Sequence, residues 1–318
     1  MRVLILGGTG FAGRAVAEEA ARRGDEVTLF NRGRRGGASL TGDRLAEGGL
    51  DALRTGEWDA VVDTWSAQGE AVRRTAELLT GRAGHYTYIS SRSVYQWLAP
   101  GPLTEQTPLV EATEPGYAGD KLRGELGAAA FGGPVVLARA GLILGPYEDV
   151  GRLPWWLNRI ARGGPTLAPG PRELPLQYID VRDLASFVLD VAARGGQGPF
   201  NLVSPPGHTS MGELLETANE ATGGRAELRW TDPAAIVAAG VEPWTQLPIW
   251  FPPGPEHEFM NGADVTRAVE AGLRCRPVRQ TVFDTWSWLR SVGEAPQRDD
   301  RPRVGLDAEV ERELLGQQ

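Results

Sequence analysis

The stretch "LILGGTGFAGRAV", residues 4–16, decides how the rest of the chain is read. Its apolar start, its glycines at 7, 10 and 13, and the helical spacing of the residues after them describe a strand, a turn and a helix. Glycines let a backbone come close to a pyrophosphate, and a helix N-terminus offers it free N–H groups and a positive dipole end. A glycine pattern alone could be a mere tight turn. Placed directly between a strand and a helix, it reads as a dinucleotide site built on Gly7, Gly10 and Gly13, with Phe11 and Ala12 between them.

Working outward, short apolar runs alternate with helical patterns over the first two hundred residues. The runs 2–7, 26–31, 59–64, 85–90, 135–140 and 199–204 read as strands. Helical spacing in "FAGRAVAEEAARRG", "GEAVRRTAELLTG" and "YAGDKLRGELGAAAF" fills the gaps. Such alternation predicts an α/β fold, a Rossmann-type doubly wound parallel sheet. After residue 145 the texture turns rich in Gly, Pro and Trp, which predicts a smaller, irregular C-terminal substrate lobe. The dinucleotide-binding domain is expected over 1–148, with returning segments 176–204 and 262–275. The lobe and a C-terminal arm take 149–175, 205–261 and 276–318. "LQYIDVRDLASFVLDVAARG" (176–195) is expected to return a strand and a helix to the main sheet. The end of the chain, from Gly293, reads as either a packed arm or a loose tail. The helical face Val278, Val282, Phe283, Trp286 and Leu289 reads as core or subunit packing.

Composition excludes several classes. A formal charge of −8, with dispersed arginines, argues against broad nucleic-acid binding. One cysteine, Cys275, rules out an internal disulfide framework, and the three histidines show no metal spacing, so no metal is expected. The N-terminal apolar run is too short for a signal-peptide core, and no stretch approaches a spanning helix. The expectation is a cytoplasmic protein acting on a small-molecule substrate, monomer or homodimer, with no membrane or nucleic-acid partner.

The second strand bears on the nucleotide. An NAD site usually ends this strand with a carboxylate for the ribose 2′-hydroxyl. Here the chain reads "LFNRGRR": Asn31, Arg32, Arg34 and Arg35. Guanidinium groups suit a 2′-phosphate, although a solvated basic loop would read the same way. NADP(H) is favoured, and NAD(H) stays open.

Of the chain's 33 basic side chains, 32 are arginine and one is lysine, Lys121. It stands four residues after Tyr117, on the same face of an expected helix. A compact ammonium fits where a planar fork does not, and a nearby cation makes a phenol a usable proton donor and acceptor. Tyr-x-x-x-Lys is a weak pattern alone, and its meaning depends on its neighbours.

Those neighbours occur in order: GGTGFAG (7–13), TGDR (41–44), YISSRSVY (88–95), YAGDK (117–121), LARAGLILGP (137–146) and LQYIDVRDLA (176–185). Over roughly residues 1–290 this succession resembles the extended short-chain dehydrogenases/reductases, the NAD-dependent epimerase/dehydratase family. The resemblance implies that Asp43 contacts the adenine and that Thr64 and Trp65 lie beside the cofactor. It also implies that Ser91 supplies the catalytic hydroxyl with Ser93 beside it, and that Tyr117 is the acid/base. Lys121 would tune Tyr117 and hold the nicotinamide ribose.

Members that act on nucleotide-sugars resemble this chain less well. Their arginine before the strand matched by "YIDVRDLA" falls on Leu176, and their "RPGD"-like stretch is replaced by "FPPGPEHEFMNGADVTR". Tryptophans 155, 156, 230, 244 and 250 stand in this region instead. Trp155 and Trp156 are expected at the substrate, since pockets for organic molecules are lined mostly by apolar groups. The expected activity is an NADP(H)-dependent reductase or dehydrogenase of a mainly apolar carbonyl or alcohol. A nucleotide-sugar epimerase or dehydratase with transient hydride transfer is the alternative. A non-catalytic nucleotide sensor is disfavoured because Tyr117 and Lys121 both survive.

Overall fold

In the computed structural model, which describes residues 1–34, 37, 39–293, 298 and 302–316, the opening stretch forms strand β1 (Arg2–Leu6) and helix α1 (Phe11–Arg22). The chain continues through β2 (Glu26–Asn31), β3 (Leu40–Thr41), β4 (Ala60–Asp63), α2 (Gly69–Leu79), β5 (Tyr86–Ser91), α3 (Gly116–Ala128) and β6 (Val135–Ala140). Two-residue strand β7 (Ile143–Leu144) follows, then α4 (Arg152–Ala161), β8 (Gly164–Pro169), β9 (Pro175–Leu176), β10 (Ile179–Asp180), α5 (Val181–Ala193) and β11 (Gly198–Leu202). The remainder comprises β12 (Thr209–Ser210), α6 (Met211–Thr222), β13 (Ala226–Thr231), α7 (Pro233–Ala238), α8 (Pro255–Asn261), α9 (Thr266–Glu270), α10 (Val278–Val292) and α11 (Ala308–Gly316).

Seven strands pair in parallel in the order β11-β6-β5-β4-β1-β2-β3. The run Val3–Leu6 is buried on both faces, which is why it reads as continuous apolar sequence rather than alternation. Successive side chains point to opposite faces. Val3 and Ile5 therefore join one core with Val16, Val136, Val188 and Phe200. Leu4 and Leu6 join another with Phe30, Val72, Leu79 and Tyr86. Helices α1 and α5 cover the first face, α2 and α3 the second. This is the doubly wound α/β arrangement, and its strand order reverses between β1 and β4, leaving a crevice at the carboxyl ends of those strands.

The strand expected from "LQYIDV" does not enter this sheet. The edge beside β6 is occupied by β11, in register from Gly198 opposite Val136 to Leu202 opposite Ala140. The segment instead gives β9, which pairs with β12, and β10, which pairs with β7. The helix after it, α5, does pack under the sheet, and the sheet's core also takes in Ala268 and Leu273.

A third core gathers Leu153, Trp156 and Ile160 of α4 with Leu214 of α6, Trp250, and Val282 and Leu289 of α10. Val278, Val282 and Leu289 of the face singled out in α10 are buried there, with Trp286 packed against them. The described part of the chain's end is a packed arm. Leu314 of α11 is buried in the third core, and Glu311 accepts bonds from Arg159 Nε (2.6 Å) and the Leu167 N–H (3.0 Å). No helix among the described residues is long and apolar enough to cross a membrane.

Candidate active site

At the carboxyl end of β1 the chain turns through glycine and enters α1. The Gly7 N–H donates to Phe30 O of β2 (3.0 Å), and Gly7 O accepts from the N–H groups of Thr9 and Gly10. A Cβ on Gly13 would lie 2.8 Å from Gly7 O and 3.0 Å from Gly8 Cα, so only glycine lets the helix sit this close to its own turn. The N-cap of α1 is Gly10, which has no side-chain cap, and no acidic residue stands in the first turn. The first N–H groups of a helix have no intrahelical partner. Phe11, Ala12 and Gly13, which carry these N–H groups, line the wall of a cavity of about 610 Å³ together with Gly10.

Thr64, at the end of β4, also lines this cavity, and its hydroxyl donates to Leu6 O (2.9 Å). Gly7 does not line the cavity. Asn31, Arg32, Arg34 and Asp43 lie outside the cavity, around the ends of β2 and β3. Asn31 Oδ1 accepts from Gly33 N–H (2.7 Å), while its buried Nδ2 has no hydrogen-bond partner. Arg32 and Arg34 are exposed; Arg35 lies outside the described residues. Asp43 Oδ1 accepts from the Leu45 N–H (3.1 Å).

The neighbour of Asp43 was not singled out in the sequence. Arg44 is buried and grips Asp63 with two 2.7 Å bonds, while Asp63 also accepts from Tyr86 OH (2.6 Å) and the Trp65 N–H (2.9 Å). Burial alone would raise the Asp63 pKa, yet the Arg44 charge and these donors hold it below the ordinary carboxylate range. The pair ties the TGDR loop to the end of β4. An acidic residue closing one strand and a distant Arg carry no signal of pairing in sequence.

On the facing wall stand Ser91, Ser93, Tyr117 and Lys121. Ser91 closes β5, where its hydroxyl accepts from the Ser93 N–H and donates to Ser93 Oγ, both at 3.1 Å. Tyr117 and Lys121 lie one turn apart on α3, with Lys121 Nζ 6.0 Å from the centre of the Tyr117 ring. Only 3% of Lys121 is exposed. Its ammonium donates to Ile89 O (2.7 Å) and Trp65 O (2.9 Å) and stands 4.8 Å from the Tyr88 ring centre. Trp65 thus meets Lys121 through its carbonyl rather than by lining the cavity.

A buried polar chain anchors α3. Glu125, one turn beyond Lys121, accepts from Ser90 Oγ (2.6 Å) and pairs with Arg139 at 2.9 and 2.8 Å. Arg139 reaches Tyr95 OH (3.2 Å), which donates to Asn201 Oδ1 (2.7 Å). Strands β5, β6 and β11 are thereby locked to the helix that carries Tyr117.

Trp155 and Trp156 do not line this cavity, contrary to the sequence expectation. Trp156 is fully buried in the third core with its Nε1 donating to Pro248 O (2.7 Å), and Trp155 packs edge-on against it. The aromatic wall comes instead from Trp97, Trp244, Phe251 and Phe259. Trp97 meets Phe259 edge-on at 4.8 Å, and Trp244 stacks on Phe251 at 5.4 Å beneath the Arg152 guanidinium. Trp244 holds a positive φ of 66°, a conformation uncommon outside glycine. Trp244 was among the tryptophans noted in the sequence, whereas Trp97, 55% exposed and just after the serine motif, was not. At the cavity's edge Glu148 is buried and accepts from the Arg152 N–H (2.6 Å) and the Leu153 N–H (3.2 Å). Burial pushes its pKa up to about 7.

The residues fit a dinucleotide: an uncapped helix N-terminus packed on glycine, an unpartnered Asn31 Nδ2 at the end of β2, and a hydroxyl, a phenol and an ammonium lining the cavity. Residues 52–202 match the model of the NAD dependent epimerase/dehydratase family. Over 168 residues the chain is 33% identical to a Mycobacterium tuberculosis protein provisionally named flavin-containing monoamine oxidase AofH. That match takes in 52% of this chain and 28% of the relative, so the chain spans under a third of the length of the curated relatives it matches. Among solved structures, Bordetella bronchiseptica WbmG in complex with NAD and UDP aligns over 95% of this chain and 99% of its own, at 18% identity and TM-score 0.68. Human epimerase family protein SDR39U1 with NADPH aligns over 89% and 99%, at 21% identity and TM-score 0.61. UDP-N-acetylglucosamine 4-epimerase from Bacillus cereus aligns over 91% and 99%, at 16% identity and TM-score 0.65.

Proposed function

We propose, from the premise that the chain belongs to the NAD-dependent epimerase/dehydratase family, that it is an NADP(H)-dependent oxidoreductase. It would transfer a hydride between nicotinamide and a carbonyl or alcohol of a mainly apolar small metabolite. The observation that carries this reading is one cavity bounded by the Gly10–Gly13 turn, by Ser91, Tyr117 and Lys121, and by an aromatic wall.

When bound, the nicotinamide supplies or accepts the hydride. The protein's tasks are placement and a proton. The first turn of α1 would bind the pyrophosphate, and Asn31, Arg32 and Arg34 would receive the adenine ribose and its 2′-phosphate. Ser91 donates a hydrogen bond to the substrate oxygen. Tyr117 gives or takes the proton at that oxygen, which is general acid/base work of about 10²–10⁴-fold. Lys121, held by two backbone carbonyls, stands beside Tyr117 and would hold the nicotinamide ribose. Trp97, Trp244 and Phe251 exclude water and hold the apolar body of the substrate.

The test is NADPH consumption against a panel of aryl and alkyl ketones and aldehydes, with Tyr117→Phe as the inactive control. Sustained loss of NADPH absorbance that vanishes in the control supports the reading; turnover undiminished in Tyr117→Phe refutes it. A second reading, in which hydride leaves and returns within one turnover, is favoured by the epimerases of similar fold. Under it, no net cofactor would be consumed. Leu176, where nucleotide-sugar members resembling this chain carry an arginine, is buried in the third core, which favours the first reading.

A further inference from the structure

The serine motif carries a charge that the mechanism above leaves unused. Arg92 comes directly after Ser91 and lines the same cavity, yet only 5% of it is exposed. Its Nη1 and Nη2 donate to Met260 O (3.1 Å) and Phe259 O (2.8 Å), and its buried Nε has no hydrogen-bond partner. Among the described residues no carboxylate touches it. The other buried arginines differ: Arg44 grips Asp63 and Arg139 grips Glu125.

An arginine stays protonated at neutral pH even when burial brings its pKa down, here to about 10. Taking such a charge out of water without a counter-ion is expensive, and buried charges are normally paired. Two backbone carbonyls offset only part of that cost. The packing around the side chain is close: a Cβ on Gly141, another wall residue, would clash with Val203 Cγ1 and come within 3.3 Å of Arg92 Cδ and Nη1. An unmatched buried charge in a ligand cavity marks the place where a ligand brings the opposite charge.

We infer that the substrate carries one carboxylate, and that Arg92 is the residue that recognises it while the aromatic wall holds the apolar remainder. The inference rests on the reading of this cavity as the substrate site. It narrows the substrate class to an oxo or hydroxy acid with an aryl or alkyl body. A single carboxylate is preferred to a phosphate because one cation is left unmatched. A plain structural role, fastening α8 to the end of β5, would need the two carbonyl bonds but no anion.

Calorimetry on the full chain with saturating NADP(H) distinguishes these, using 3-phenylpropionate, 4-phenylbutyrate and their primary amides as probes. The expected result is that each acid binds at least about tenfold more tightly than its amide, a difference of about 1.4 kcal/mol. That ratio should fall to near one in Arg92→Met and be largely kept in Arg92→Lys. Equal binding of acid and amide to the unmodified protein overturns the inference without any variant. A ratio that persists in a folded Arg92→Met overturns it as well. Should Arg92→Met fail to fold, the Arg92→Lys variant and the unmodified ratio carry the decision. Binding is read without turnover, so a protein that discriminates acids yet consumes no NADPH would refute the oxidoreductase reading and leave this one standing.

Discussion

Replacing Lys121 by arginine conserves the charge and changes only its shape and placement. The ammonium sits between Ile89 O at 2.7 Å and Trp65 O at 2.9 Å, with almost no solvent contact. A longer, planar group cannot occupy that space without shifting its neighbours, and such overpacking costs about 1–3 kcal/mol. A domain with about 5–15 kcal/mol to spare survives this. Lys121→Met gives a second measure of the same site. Trp65 O keeps its bond from Tyr88 OH (3.0 Å), so the stranded acceptor is Ile89 O, with a cost again of about 1–3 kcal/mol. The two variants thus lose similar stability but differ in charge. If the ammonium works through its position beside Tyr117, both lose turnover by at least about 10²-fold, the lower end of what a positioned acid/base contributes. Melting by circular dichroism and steady-state NADPH kinetics measure the two effects separately. Lys121→Arg turnover within about threefold of the unmodified protein, with the fold intact, would refute the reasoning.

The geometry sets three further outcomes. Arg32→Ala with Arg34→Ala should weaken NADP(H) by about tenfold or more while sparing NAD(H), in a fluorescence titration; equal losses for both would remove these arginines from the 2′-phosphate. Glu125→Gln leaves the buried Arg139 guanidinium opposite a neutral amide, an imbalance worth about 3–5 kcal/mol. At about 2–4 °C per kcal/mol the melting temperature should drop by roughly 10 °C, and a shift under about 2 °C would show the pair is not holding α3. Glu148, with its pKa raised by burial to about 7 against an ordinary 4.5, contributes stability that is fully present below about pH 4.5 and lost as pH rises through about 7. Denaturant melts should therefore show the unmodified protein losing stability across that window relative to Glu148→Gln; parallel pH profiles would contradict this.

Much of the framework was legible in the sequence because local periodicity determines it. Strands β2 and β6 run over the residues expected of them, and Tyr117 and Lys121 share a helix face because positions four apart must. The glycine spacing likewise announces a turn that a backbone can approach. Which aromatic residues meet the cavity could not be read this way. Trp155 and Trp156 are adjacent on α4 and so point in different directions, and the packing of α4 against α6 and α10 sends them to the third core. Trp97 and Trp244 reach the cavity from non-repeating segments, where no period predicts a direction. Arg92 looked like one more of many arginines. Only the folded chain, by bringing α8 carbonyls and no carboxylate against it, makes it an unmatched charge, because electrostatic pairing depends on distances that sequence separation does not specify.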